Sequence, residues 1–333
     1  MAQGTAKDKL LHLLFRYGTL GFIAFIIVLF SIVNEYFFTF NNITGILQSI
    51  SIVTLVAIGV TFTLIVNGFD MSVGSIVSLA SVVSASIMVW FEQSVWLAVL
   101  VPIVIGGLIG LCNAFLVVKV RIPDLLATLA ALYIVKGIHL VYTKGYSITS
   151  NMVMPDQTTA PGVISPTFLK IGQGTIVNIP ISVIIMLVAV VLVYIFLHYT
   201  RFGRLLYAVG GNQEAARLSG IPVDRYRVLA YLLSGLFCGL AGVLMTARIG
   251  TGQVDGGAPL LMDAVAAAFV GYSVLGAGKP NVGGTFVGAV LIGVLLNALT
   301  MLNLPYYAHD IVKGTVLIFA LSATYYQMRR RFR

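Results

Sequence analysis

Charged side chains are rare in this chain, so each one that interrupts an apolar run is a candidate for chemistry. Asp70 lies between two apolar runs in NGFDMSVGS, residues 67–75, and Lys136 and Lys313 lie within apolar runs. A charge in apolar surroundings is costly, and such charges commonly pair with one another or line a polar path. These three residues are therefore the first candidates for a functional site.

Two interpretations of Asp70 are open from the sequence. In the first, Asn67, Asp70 and Ser72 line or gate a path for a polar solute. In the second, Asp70 caps the following helix by accepting hydrogen bonds from its first backbone N–H groups. The two roles are compatible. Other neutral polar side chains in apolar runs either form interhelical hydrogen bonds or contact the solute; these are Asn113, Thr128, Asn297 and Asn303.

The two lysines within apolar runs differ in the partners that the sequence offers them. Asp310 precedes Lys313 by three residues, which is neighbour spacing on a helix and predicts an ion pair between them. Lys136 has no acidic residue at helical spacing in its own run. Its partner is either Asp263 or a backbone carbonyl.

A second cluster of polar residues lies in RFGRLLYAVGGNQEAARLSGIPVDRYRV, residues 201–228. Gly210-Gly211 ends one element, and the amide of Asn212 can cap the next helix. A carboxylate in the first turn, at Glu214, suits the helix dipole, and Gly220 ends the helix. The sequence predicts a short helix over Gln213–Leu218. Because it carries small alanines, this helix either enters a groove on a partner or packs against its own chain.

The composition decides which elements must position these residues. The 333 residues are 59% hydrophobic and 9% charged, with a mean hydropathy of +1.01, whereas soluble domains carry about 25% charged residues. The net charge of +9 comes from basic residues between or beyond apolar runs, which does not fit a nucleic-acid-binding surface. No phosphate loop, nucleotide fingerprint, catalytic cluster or metal-ligand spacing is present. We predict an all-α integral membrane protein that is not an enzyme and binds no metal.

The apolar runs predict about ten transmembrane helices. If so, 15 of the 20 basic residues fall on one side, which places both termini in the cytoplasm. Asp70 then lies near the cytoplasmic end of its span, or in a helix interrupted within the membrane. The predicted spans are 17–33, 44–66, 71–91, 96–118, 124–144, 178–198, 227–248, 261–277, 281–303 and 308–326. We expect one membrane domain, 1–333, with a short cytoplasmic N-terminal segment 1–16, an outside loop 145–177, a cytoplasmic loop 199–226 and a basic C-terminus 327–333.

Glycines recur at spacings of three to five residues in three of the spans. Such spacing allows close helix packing, within one subunit or between subunits. The three sets are Gly106, Gly107 and Gly110; Gly235, Gly239 and Gly242; and Gly284, Gly288 and Gly293.

The loop GNQEAARLSGI, residues 210–221, resembles the coupling-helix signature of permeases of ATP-binding cassette (ABC) importers. NGFDMSVGS is similar to a G-(I/F)-D-L-S-V-G motif of the ribose, xylose and arabinose class of sugar permeases, with Met71 in place of the commoner leucine. Segments 233–253 and 284–314 also look like that family. The resemblance covers most of the chain. The coupling residues that it implies are Gly210, Glu214, Ala215, Ala216, Arg217 and Gly220.

This resemblance implies the type II importer fold of the vitamin B12 importer permease and a homodimer with the solute path on its two-fold axis. The implied partners are an ABC ATP-binding subunit, which holds ATP and Mg²⁺, a periplasmic or lipid-anchored sugar-binding protein and the lipids of the bacterial inner membrane. No cofactor is expected in this chain. The implied function is sugar import, with a pentose such as ribose as solute, although other sugars, furanones or nucleosides stay open. The alternative is a secondary transporter driven by an ion gradient.

Overall fold

The computed structural model describes residues 6–154, 157–273, 278–305 and 307–318. The predicted C-terminal segment 327–333 and part of the last predicted span, 319–326, lie outside the described residues. The longer helices are α1 (Ala6–Val33), α2 (Phe40–Ile65), α3 (Val73–Val89), α4 (Val95–Ala114, continued by a π-helical turn Phe115–Lys119), α5 (Asp124–Thr143), α7 (Ile181–Tyr199), α10 (Val223–Ile249), α11 (Ala258–Ser273), α12 (Val282–Met301) and α13 (307–318).

Within the described residues, three short helices and four two-residue strands occupy the connections between these helices. The short helices are α6 (Pro166–Gln173), α8 (Arg201–Gly211) and α9 (Gln213–Leu218). The strands are β1 (Ile148–Thr149), β2 (Thr175–Ile176), β3 (Ile179–Pro180) and β4 (Thr251–Gly252). Strand β1 pairs antiparallel with β4, and β2 with β3. The predicted outside loop 145–177 is therefore ordered in its described parts by β1, α6 and β2.

Six described helices are long and apolar enough to cross a membrane: Phe40–Ile65, Val95–Lys119, Asp124–Thr143, Ile181–Tyr199, Val223–Ile249 and Val282–Met301. Three shorter apolar helical stretches are Leu20–Val33, Val73–Val89 and Ala258–Tyr272. Each of the ten predicted spans overlaps a described helix. The described residues are thus mostly helical, and their long apolar helices are consistent with the predicted integral membrane protein, while the number of crossings stays a prediction.

The chain forms two compact units, Ser51–Met262 and a second one made of Met1–Ile50 with Asp263–Arg333. In the first unit, α10 packs closely against α4 because both helices carry glycine at their crossing. A methyl group at Gly106 would overlap the carbonyl oxygen of Gly235, and one at Gly235 would overlap that of Gly106. Their spacing therefore serves packing within the chain, one of the two predicted roles.

Gly106→Ala should destabilise this crossing because the added methyl group meets backbone, which cannot rotate away. Overpacking of this kind costs about 1–3 kcal/mol, so we expect an apparent Tm in detergent that is lower by about 2–4 °C per kcal/mol lost. Gly137→Ala on α5 is the matched control, because a methyl group there meets nothing within 4 Å. Equal Tm values for the two variants would contradict the packing role.

The second unit buries apolar side chains of α1, α2, α11 and α12, together with Phe37 before α2. The ammonium of Lys313 lies 2.8 Å from the carboxylate of Asp263. The predicted pairing of Lys313 with Asp310 is thus wrong: the ion pair joins α13 to α11 rather than neighbouring turns of one helix. Asn297 exchanges hydrogen bonds with Asn42, at 2.9 and 3.1 Å, so this candidate path residue links α12 to α2.

Candidate functional site

The loop between α7 and α10 folds into two capped helices. The Thr200 hydroxyl accepts a hydrogen bond from the Gly203 N–H at the start of α8. The amide oxygen of Asn212 accepts the N–H groups of Glu214 and Ala215, each at 3.0 Å, at the start of α9. Gly220 follows α9 with φ of +78°, a conformation that glycine adopts without strain. The predicted helix Gln213–Leu218 and its cap are confirmed.

Helix α9 has one anchored face and one free face. Ala216 is buried, whereas Glu214, Ala215 and Arg217 are exposed. Leu218 is 85% exposed, an unusual position for a large apolar side chain in a polar loop. Of the predicted contact residues, Ala216 therefore fixes the helix to its own chain. Leu218 is a candidate contact that the sequence argument missed, although an apolar residue among polar neighbours was a readable signal.

Helix α8 attaches this loop to the rest of the unit. Leu206 and Val209 are fully buried on one face of α8, and burial raises the pKa of Tyr207, on the same helix, to about 12. Its phenol is therefore neutral at physiological pH. The apolar face of α8 holds α9 at a fixed place on the unit.

The end of α8 touches the end of α2 through backbone. A methyl group at Gly210 would overlap the carbonyl oxygen of Ile65. The Asn67 side-chain amide donates to the Gly210 carbonyl, and the Gln213 side chain donates to the Val66 carbonyl at 3.3 Å. The α8–α9 junction is thus fastened directly to the turn that leads to Asp70.

Asp70 lies in the non-helical segment 66–72, between α2 and α3, and is fully buried. Its carboxylate accepts hydrogen bonds from the Ser72 N–H at 2.9 Å, the Ser72 hydroxyl at 2.6 Å and the Ser234 hydroxyl at 3.0 Å. The first two bonds fix the start of α3, and the third joins it to α10. Ser72 is the N-cap residue of α3, so Asp70 holds the residue before the helix and does not accept the N–H groups of the first turn, as the capping interpretation expected. Both of its oxygens are occupied by the protein's own donors.

The same segment gathers the other polar candidates of this unit. The side-chain amide of Asn113 on α4 donates to the Ser72 hydroxyl at 2.8 Å. The Thr128 hydroxyl on α5 accepts from the Met71 N–H at 3.1 Å. Five of the seven candidate path residues therefore lie on or against segment 66–72, namely Asn67, Asp70, Ser72, Asn113 and Thr128. The other two, Asn297 and Asn303, belong to the other unit.

The depth of Asp70 follows from its bond to Ser234. Ser234 is the twelfth residue of α10, so it lies about 16 Å from the first residue of that helix and about 22 Å from its last, at 1.5 Å per residue. Asp70 is therefore well inside the helix bundle. The chain descends along α2 to Ile65 and turns at Asn67, which has φ of +57°. It then returns inward, which favours the interrupted helix over a site at the cytoplasmic end.

An ion pair lies between this segment and α9. The Arg227 guanidinium donates to both carboxylate oxygens of Asp124, at 2.9 and 3.2 Å, and the Tyr231 hydroxyl donates to the same carboxylate at 2.6 Å. A cavity of about 360 Å³ beside them is lined by both residues of the ion pair and by Arg217 of α9. This cluster could not be predicted from the sequence, because Asp124 and Arg227 are 103 residues apart.

Comparison with known proteins identifies relatives over most of the chain. A family described as "Branched-chain amino acid transport system / permease component" matches residues 42–321. The ribose import permease protein of Haemophilus influenzae is 36% identical over 308 residues, 92% of each chain. The ribose import permease protein of Bacillus subtilis is 36% identical over 296 residues, 89% of this chain and 88% of the relative. The D-allose transport system permease protein of Escherichia coli is 31% identical over 308 residues, 92% of this chain and 90% of the relative. The comparison with solved structures gave no match.

Proposed function

This chain belongs to the family of transport-system permease components that matches residues 42–321, and from that premise we propose a function. The chain is the membrane-spanning subunit of a bacterial ABC importer and forms the path of a sugar, with ribose the first candidate. The observation that carries this proposal is the similarity to ribose import permeases along about nine-tenths of the chain.

The solute class rests on the relatives and not on the family description. That description names branched-chain amino acids, whereas the relatives that match along nearly their whole length are named for ribose and D-allose. A sugar carries hydroxyl groups, which neutral amides and hydroxyls can bind. The external binding protein that delivers the solute determines which sugar is imported.

The geometry supports a separate ATPase as the source of energy. The exposed face of α9, with Glu214, Arg217 and Leu218, docks on the ATP-binding subunit, which holds ATP and Mg²⁺. Movement of α9 reaches Asn67 through Gly210, and from there the segment that carries Asp70. Because Asp70 is bonded to Ser234, this movement changes the packing of α3 against α10.

The remaining parts of the assembly follow the family pattern. The chain has about ten spans in the type II importer fold, with both termini in the cytoplasm of a bacterial inner membrane. Two copies form a homodimer around the solute path, and a periplasmic or lipid-anchored sugar-binding protein docks on the opposite side. The rival function is a secondary transporter driven by an ion gradient, which leaves the exposed face of α9 without a role.

Uptake into proteoliposomes separates these functions. The chain is reconstituted with its ATP-binding subunit and its solute-binding protein, and uptake of labelled ribose and of labelled leucine is measured with and without ATP. We expect ribose uptake that requires both partners and ATP. Ribose uptake by the chain alone under an ion gradient would establish the rival function, and ATP-dependent uptake of leucine alone would overturn the sugar assignment.

Glu214→Lys should lower uptake by more than about tenfold, because a reversed charge at a docking surface costs several kcal/mol. The side chain is exposed, so membrane insertion and the Tm of the isolated chain should be unchanged. Glu214→Gln, which keeps the shape and removes the charge, should show a smaller loss. Uptake at the wild-type rate by the lysine variant would exclude this residue from the coupling surface.

A further inference from the structure

A second non-helical segment runs alongside α3, between α10 and α11. Its β4 strand pairs with β1, and the Gln253 N–H donates to the Ser81 hydroxyl at 3.0 Å. Further along, the Gly257 N–H donates to the Ser78 hydroxyl at 2.9 Å. A methyl group at Gly74, in the first turn of α3, would meet the carbonyl oxygen of Gly257 at 2.7 Å.

Segment 250–257 therefore follows α3 from the middle of that helix, at Ser81, back to its first turn, at Gly74. Backbone without helical hydrogen bonds at such a depth is tolerated where it packs on protein or lines a water-filled cavity. The bonds to Ser81 and Ser78 show that one side of the segment packs on α3. Its other side carries Asp255, which is exposed.

Asp255 forms an ion pair with Lys136 of α5, with a nitrogen–oxygen distance of 3.3 Å. Neither partner that the sequence suggested for Lys136, Asp263 or a backbone carbonyl, is the one found. Asp263 is paired with Lys313 instead. Lys136 is the thirteenth residue of α5, about 18 Å from the start of that helix at 1.5 Å per residue. The pair thus lies at the depth of the apolar spans.

The exposure of this pair is informative because of that depth. The side chain of Lys136 is 41% exposed and that of Asp255 is 64% exposed. Charged groups within spans face the bundle interior or a water-filled cavity rather than lipid. Tyr133, one turn before Lys136 on α5, is 67% exposed and adds a hydroxyl to the same face. Lys136, Asp255 and Tyr133 thus expose polar groups at a depth where a lipid-facing surface would be apolar.

We propose that Lys136 and Asp255 line the solute path and bind the hydroxyl groups of the passing solute. This inference rests on the proposed function, since it takes the solute to be a sugar. An ammonium donates and a carboxylate accepts charge-assisted hydrogen bonds, which are shorter and stronger than neutral ones. Between passages the two groups satisfy each other, so neither charge is left bare.

Thiol labelling tests the water-filled face directly. In a Cys112→Ala background, in which the remaining Cys238 is buried, cysteine is placed at Lys136, Asp255 and Tyr133. Each variant is assembled with its partners and treated with a charged, water-soluble methanethiosulfonate. The matched controls are Ile134→Cys and Ile138→Cys, on the same helix and 60% and 54% exposed. A thiol must ionise to react, which lipid prevents.

We expect the three test positions to react at least about tenfold faster than the two controls, and added ribose to slow the reaction at Asp255→Cys. Tyr133→Cys leaves the ion pair in place, so it reports on the face even if a charge-removing variant does not fold. Rates at Tyr133 and Asp255 no higher than at Ile134 would overturn the inference.

The labelling result is separable from the proposed function, because it needs no uptake. Wild-type protein that takes up ribose while the test positions resist the reagent would remove Lys136 and Asp255 from the path and leave the function intact. Fast labelling in a protein that takes up no sugar would support the water-filled face at Lys136 and Asp255 and would reject the proposed function of sugar import.

Discussion

Gly210→Ala is expected to reduce ATP-driven uptake by about tenfold or more, the size of a typical coupling between two sites, although alanine favours a helix over glycine by about 1 kcal/mol. The added methyl group would overlap the carbonyl oxygen of Ile65, which is backbone and cannot turn aside. Helix α8 would have to move away from α2. The hydrogen bond from Asn67 to Gly210 would then be lost, and with it the direct connection between α9 and segment 66–72. Uptake in proteoliposomes with saturating ATP measures the effect.

The next residue provides the control for this variant. Gly211 also lies in the last turn of α8, but a methyl group there meets nothing within 4 Å. Gly211→Ala should therefore transport at the wild-type rate, within about twofold. It is a matched control because it changes the helix propensity of α8 by a similar amount as Gly210→Ala. If both variants transport normally, the contact between α8 and α2 does not carry the coupling.

Asp70→Ala should cause a large loss of stability. The substitution leaves three buried donors, the Ser72 N–H and the hydroxyls of Ser72 and Ser234, without the acceptor that they now share. Each unsatisfied buried group costs about 1–3 kcal/mol, so we expect little folded protein and an apparent Tm far below that of the wild type. Fluorescence-detected size-exclusion chromatography after heating measures both quantities.

Two milder variants show how much of this stability loss comes from each of the two carboxylate oxygens of Asp70. Asp70→Asn keeps one oxygen acceptor for Ser72, and Ser234→Ala removes the link to α10 while both bonds from Ser72 to Asp70 stay. Both should be more stable than Asp70→Ala and similar to each other. A stable Asp70→Ala protein with altered solute selectivity would instead mean that Asp70 touches the solute.

The local features of the site could be predicted because their causes are local. The cap at Asn212, the helix Gln213–Leu218 and the stop at Gly220 depend on backbone groups within a few residues, and the structure has all three. The glycine spacing in α4 and α10 likewise indicated close packing. The long apolar helices could be located because a run of about 20 apolar residues, the length that a lipid-crossing helix needs, is visible in the sequence itself.

The ion pairs could not be predicted because their partners are brought together by tertiary packing. Lys313 has Asp310 at helical spacing but pairs with Asp263, on another helix. The partner of Lys136, Asp255, lies in a non-helical segment. Helical spacing shows only which side chains of one helix are neighbours, and it gives no information about the helix or segment that packs beside them.

The depth of Asp70 was also outside the reach of the sequence. Counting apolar residues places segment 66–72 at the end of a span, whereas the bond to Ser234 places Asp70 about 16 Å along α10. Glycines on both sides of Asp70 permit either arrangement. The arrangement found depends on Ser234, Asn113 and Thr128, which are contributed by three other helices.

Photocrosslinking from α9 tests the coupling claim most directly. A photoreactive amino acid replaces Leu218, which is 85% exposed, in the assembled transporter, and the crosslinked products are identified by mass spectrometry. The matched position is Val177, which is 87% exposed in the loop before α7. We expect position 218 to crosslink to the ATP-binding subunit and position 177 not to do so. Crosslinks from position 218 to its own chain alone would contradict a docking role for α9.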